Sequence, residues 1–167
     1  MAVKTVLRMG HPVLQKIADP VTEFNTPELD GLIQDMFDTM SALDGAGLAA
    51  PQIGVSLRVV IFGVKQNPRY LDAETVPQTI LVNPQIEPFG EVIQEDWEGC
   101  LSLPDFTVEV DRARVVHVQF ANGHAVGPCR PLAFEALLTR HRRTVRAGRC
   151  WPTTSSSPRL VSAHWWC

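Results

Sequence analysis

Two short stretches hold the side chains best suited to chemistry. In Gly45-Ala46-Gly47-Leu48-Ala49-Ala50-Pro51-Gln52 one uncharged hydrogen-bonding side chain, Gln52, stands among small residues. Small residues let a ligand approach the backbone closely, and a glutamine amide can donate to an oxygen on which negative charge develops. The competing reading is a helix C-cap followed by a tight turn. These glycines make no nucleotide-binding fingerprint, since GxGxxG is absent and no strand precedes them. In Trp97-Glu98-Gly99-Cys100-Leu101-Ser102-Leu103-Pro104 a cysteine follows a glycine, between a polar loop and a proline. A cysteine so placed can serve as a metal thiolate, with the backbone N–H groups after it free to face a substrate. Its competing reading is a small buried hydrophobe in a turn.

These residues need elements to bring them together. Leu29, Leu32, Ile33, Met36, Phe37, Met40 and Leu43 recur at the spacing of an amphipathic helix. Asn25 or Thr26 supplies its cap, and Pro27 falls in the first turn, where proline is tolerated. The helix must end at Asp44-Gly45-Ala46-Gly47, which cannot stay helical cheaply. Beyond it LRVVIFGV, ILVNPQIEP, FTVEV and ARVVHVQF read as strands separated by Gly, Pro and Asp. A further helix is expected from about Leu132 to Val145. One helix followed by several strands and a last helix predicts an α+β fold with an antiparallel or mixed sheet.

Composition narrows the classes. A chain of 167 residues, 45% apolar and 20% charged, can bury one good core. No run approaches the length of a spanning helix, and the start MAVKTVLRMG has no secretory h-region, so the expected location is the cytoplasm, with no membrane partner. Four cysteines, Cys100, Cys129, Cys150 and Cys167, form no CxxC pair, which argues against a disulfide scaffold and for a thiolate role where one matters. The net charge of −3 hides two unlike parts. Residues 1–135 hold all 18 acids against nine Lys and Arg, whereas residues 136–167 hold six arginines and no Asp, Glu or Lys. A nucleic-acid partner is not expected, because no aromatics interleave with the arginines and the acidic body repels phosphate.

GAGLAAPQIG at 45–54 and WEGCLSLP at 97–104, in that order, closely resemble the first two signature motifs of peptide deformylase. The opening VLRMGHPVLQKIADPV is similar to that family's N-terminal segment, and the helix from Pro27 to Leu43 stands where the family has its first. The resemblance covers residues 5 to about 120. It implies an α+β peptide-deformylase-like domain over residues 1–135, its mixed or antiparallel sheets set around a C-terminal helix, incomplete here, with residues 136–167 an aberrant, poorly ordered Arg/Ser-rich tail. It also implies hydrolysis of the N-formyl group from the N-terminal formylmethionine of newly made proteins. The implied cofactor is Fe²⁺, with Zn²⁺ or Ni²⁺ as substitutes. Formylated nascent peptides are the implied partners, the ribosome is a further candidate, and the expected state is a monomer. Carried onto this chain, Cys100 is the thiolate ligand, Gln52 and the backbone N–H of Leu101 stabilise the oxyanion, and Gly47 lets the substrate backbone approach.

The family's third motif, HExxH, occurs nowhere in the chain. That motif sets two imidazoles on one helical face against one metal, with the glutamate handling the proton. The nearest stretch is His141-Arg142-Arg143-Thr144-Val145, preceded by FEALLTR and followed by Gly148. His141 is therefore the candidate second ligand, with Arg142 where the general base belongs and Val145 where the third ligand belongs; an alternative register moves the expected histidine to Thr144. His117 reads as an exposed strand residue, His124 as a solvated turn residue, and Cys129 and Cys150 share no ligand spacing with Cys100. The loss of acids after Glu135, the arginine excess and the serine run suit a departure from the ancestral reading frame between about Gly123 and His141. Two functions follow as expectations. The first is an active metal-dependent deformylase, and the second is a catalytically impaired or inactive relative that at most binds peptide.

Overall fold

The computed structural model describes residues 2–64, 75–121 and 132–133. Helix α1 runs Pro27–Ala42 with Thr26 as its cap, the Thr26 hydroxyl accepting from Leu29 N–H at 3.2 Å. Of the two cap candidates it is Thr26 that serves; Asn25 instead takes a left-handed backbone, with φ of 57°. Pro27 opens the helix, and Glu28 and Asp30 place negative charge in the first turn, where it favours the exposed N–H groups. Leu29, Ile33, Met36 and Met40 are buried, and Leu32 and Phe37 pack beside them. Leu43, at the end of the apolar stripe, is the C-cap and is exposed.

Among the described residues five strands form one sheet in the order β1-β2-β3-β4-β5: β1 Gly47–Ala49, β2 Val59–Val64, β3 Val76–Cys100, β4 Leu103–Ala121 and β5 Leu132–Ala133. Every named neighbour pair is antiparallel. The α+β expectation therefore holds in its antiparallel form. One isolated parallel bridge, Asp19 with Leu57, ties the N-terminal segment to the start of β2.

The core lies where α1 meets the first strands. Met36, Leu48, Ile61, Val59 and Val82 are fully or nearly fully buried there, and Leu101 packs at the margin. A second cluster, Val60, Phe62, Leu81, Ile86, Val116 and Val118, fills the other side of the sheet. Alternation along β2 divides its residues between the two clusters, as a period of two requires.

Three expectations need correction. FTVEV and ARVVHVQF are not separate strands but parts of β4, which continues through Asp111 because Asp111 pairs with Glu95 on β3. The polar loop expected before Cys100 is strand as well, with Trp97 opposite Glu109 and Glu98 opposite Val108. The helix expected from Leu132 does not begin there: Leu132 and Ala133 pair with Val118 and His117 as β5, since an open β4 edge offers them backbone partners. The rest of that expected helix lies outside the described residues.

Candidate active site

Gln52 occupies the third position of a 3-10 turn, Ala50–Ile53, that follows β1. Pro51 suits the turn's start, and Gly54 closes it with φ of 88°, a conformation that glycine adopts without strain. The Gln52 side chain folds back so that Oε1 accepts from Ala49 N–H at 2.8 Å. Half of a capping box is thus made, and the amide is locked in a site only 2% exposed. The N-terminal segment braces the same turn, with Leu7 N–H donating to the Gln52 carbonyl at 2.7 Å.

Cys100 ends β3, where the ribbon reverses through Leu101 and Ser102 and Cys100 pairs with Leu103. Its side chain is half-buried. Two N–H groups face the sulfur: Ser102 N at 3.3 Å and Gln52 Nε2 at 3.6 Å. Both can donate to a thiolate, the form of cysteine that ligates metal. Ser102, 1% exposed, accepts from Gln52 Nε2 through its hydroxyl at 3.1 Å.

The two motifs therefore converge on one place despite 48 residues of separation. Gly45 explains how they fit. A Cβ there would stand 2.9 Å from Leu101 Cδ1 and 3.3 Å from Met40 Cγ, so a larger residue would push the Leu101 side-chain tip aside and crowd Met40. Leu101 itself sits half-buried in that turn. Gly47 lies at the start of β1 opposite Phe62 and is half-buried.

The cysteine turn has a buried electrostatic support. Glu98 receives Arg112 Nε at 3.2 Å on Oε1 and Arg112 Nη2 at 3.3 Å on Oε2, a two-pronged pair across the β3–β4 ribbon. Neither Ser102 nor this pair stands out from residue type alone. Ser102 was not singled out from the sequence, and its place inside the cysteine motif is the signal that could have found it.

Among the described residues no three His, Cys, Asp or Glu side chains gather as a metal cluster. Of the two expected metal ligands, Cys100 and His141, only Cys100 lies among the described residues. His141, His124, Cys129 and Cys150 lie outside the described residues, and His117 lies on β4 opposite Glu87 and Ala133. The donor set around Sγ suits a thiolate ligand, so the described part of the site fits a soft or borderline divalent metal.

A model of the polypeptide deformylase family matches residues 3–128. The chain belongs to that family, whose members are metal-dependent hydrolases. Peptide deformylase 1 of Nitrosomonas europaea is 64% identical over 102 residues, a match covering 61% of this chain and 58% of that protein. Peptide deformylase 1 of Bordetella pertussis is 44% identical over 154 residues, covering 90% of this chain and 86% of that protein. The crystal structure of the class I type b enzyme from Acinetobacter baumannii with Met-Ala-Ser bound is 36% identical, with a TM-score of 0.74, over 84% of this chain and 91% of that one.

Proposed function

We propose that the chain is a peptide deformylase: it hydrolyses the N-formyl group from the N-terminal formylmethionine of newly made proteins. The convergence of Gln52 Nε2 and Cys100 Sγ, 3.6 Å apart, carries this reading. Attack on a formamide builds negative charge on the former carbonyl oxygen, and preorganised N–H donors lower that barrier. Gln52 Nε2 and the Leu101 backbone N–H are the donors assigned to it. Gly47 keeps the wall low where the peptide backbone lies. Cys100 and His141 would hold the metal, Fe²⁺ with Zn²⁺ or Ni²⁺ as substitutes, and the metal when bound supplies an activated water. The substrates are formylated nascent peptides, met in the cytoplasm by a monomer, and the ribosome is a further partner. In support, the Acinetobacter relative was crystallised with Met-Ala-Ser.

One observation favours a second reading, an inactive relative that at most binds peptide: the sequence contains no HExxH. Loss of a general acid or base costs about 10² to 10⁴ in rate. The two readings separate in one assay. Formate release from formyl-Met-Ala-Ser is followed for the Fe²⁺-loaded chain under anaerobic conditions, beside the Nitrosomonas relative. The expected result is release slower than the relative's by about 10² to 10⁴, cut sharply further by Cys100→Ala, abolished by chelation and restored by added Fe²⁺. Absence of any release from the loaded chain overturns the deformylase reading and leaves the inactive relative.

A further inference from the structure

A primary amide carries two N–H donors and one carbonyl, and rotation about its last bond can present either end to a ligand. In Gln52 the contacts choose. Ala49 N–H points at one end from 2.8 Å, and only an oxygen can accept there. The NH2 group is thereby turned the other way. One of its protons goes to Ser102 Oγ at 3.1 Å, and the other faces Cys100 Sγ with the nitrogen 3.6 Å from sulfur. The sulfur contact is long and weak, so an anionic oxygen beside the cysteine can take its place. The serine contact is shorter and buried, so it persists. Ser102 is itself held firmly: its N–H donates to Cys100 Sγ at 3.3 Å, and its carbonyl accepts from Met9 N–H at 2.9 Å. A single residue thus touches both functional side chains, one through its hydroxyl and the other through its backbone.

We propose that Ser102 is a positioning residue: by accepting one amide proton of Gln52, its hydroxyl keeps the other aimed beside Cys100, where the oxyanion of the substrate forms. The proposal rests on the deformylase reading of the site. Ser102→Ala leaves the sulfur's backbone donor in place and removes only the acceptor that fixes the amide. The Gln52 NH2 group then rocks about its remaining contacts. A misaimed donor acts in the transition state more than in the ground state, so kcat suffers and KM does not.

The test uses the full chain loaded with Zn²⁺ and two readouts. The first is nuclear magnetic resonance of the Gln52 side-chain amide, assigned by its disappearance in Gln52→Ala. The native chain is expected to show two inequivalent, slowly exchanging Nε2 protons. In Ser102→Ala exchange should quicken by roughly tenfold or more, while Ser102→Thr, which restores a hydroxyl, should recover the native pattern. The second is turnover of formyl-Met-Ala-Ser, where kcat should fall about 10- to 100-fold in Ser102→Ala with KM within about twofold. Ser102→Cys keeps the size with a weaker acceptor and should fall between, which separates hydrogen bonding from packing. Native exchange of the Gln52 protons in folded Ser102→Ala overturns the proposal, and so does a raised KM with unchanged kcat. If the native chain releases no formate, the deformylase reading fails, while the amide exchange still decides the role of Ser102.

Discussion

Glu98→Ala removes the anion from an ion pair whose carboxylate side chain is 2% exposed and whose guanidinium side chain is 18% exposed. Breaking a fully buried pair costs about 3 to 5 kcal/mol, mostly because the surviving charge is left without its partner. Arg112 keeps some contact with water, so the loss should fall below that range, at about 2 to 3 kcal/mol. Against a total stability of roughly 5 to 15 kcal/mol this is a large fraction. With a urea slope of about 2 kcal/mol/M, the midpoint should drop by about 1 to 1.5 M while the slope stays unchanged. The measurement is urea unfolding of metal-free protein followed by tryptophan fluorescence. Replacing both partners, Glu98→Leu with Arg112→Leu, should recover at least half of the loss, since an apolar pair leaves no orphaned charge. A loss under about 0.5 kcal/mol for Glu98→Ala would place the pair with ordinary surface bridges and refute the reasoning.

Asn83 makes two hydrogen bonds to the Val21 backbone, each of 2.8 Å, and holds a left-handed φ of 52°. Asn83→Ala should therefore cost about 2 to 3 kcal/mol in the same urea assay, while Asn83→Gly should recover the part due to backbone strain. Thr26→Ala removes the helix cap and should cost about 1 kcal/mol, read as a lowered melting temperature. The Lys4 ammonium beside Asp35, and then the Ala2 N–H, hold the Asp35 carboxyl below its ordinary value of 3.8. Because the folded state lowers that value, the stabilisation is present above the ordinary carboxylate range and is lost as pH falls through the folded one. The stability gap between native and Asp35→Asn protein, measured from pH 7 down to pH 2.5, should close with acid, and a gap constant across that range refutes it. Coding DNA translated in the other two frames past codon 120 is expected to yield an HExxH about 40 to 45 residues after Cys100, and its absence from every frame removes the frame-shift account.

The helix was legible because its signals agree: Thr26 caps it, Pro27 opens it, and the apolar stripe from Leu29 to Met40 repeats at helical spacing. Gln52 was legible as the one hydrogen-bonding side chain in a stretch of small residues, and Cys100 by its place after a glycine, between polar residues and a proline, within a motif that resembles the family's second. The long β3–β4 ribbon was hidden. Its outer part exposes Glu91, Ile93 and Glu95 and is rich in acids, so it reads as loop although backbone pairing makes it strand. Asp111 likewise looks like a break, yet cross-strand hydrogen bonds carry the chain through it. The Glu98–Arg112 pair and the Ser102 contact with Gln52 join residues 14 and 50 positions apart, and no local pattern encodes such distances. The expected boundary at residue 135, the tail beyond it and His141 lie outside the described residues, and the two-part organisation stands as a proposal resting on the change of charge there.

The central claim is that Gln52 and Cys100 act at one site. A double-substitution cycle on formate release tests it most directly, comparing the native chain, Gln52→Ala, Cys100→Ala and the double variant under identical Fe²⁺ loading. Groups that serve a single reacting centre are strongly non-additive. Gln52→Ala alone should lower kcat by about 10² to 10³, and added to Cys100→Ala it should change little. Full additivity of the two losses, or a Cys100→Ala protein that turns over like the native chain, would contradict the account.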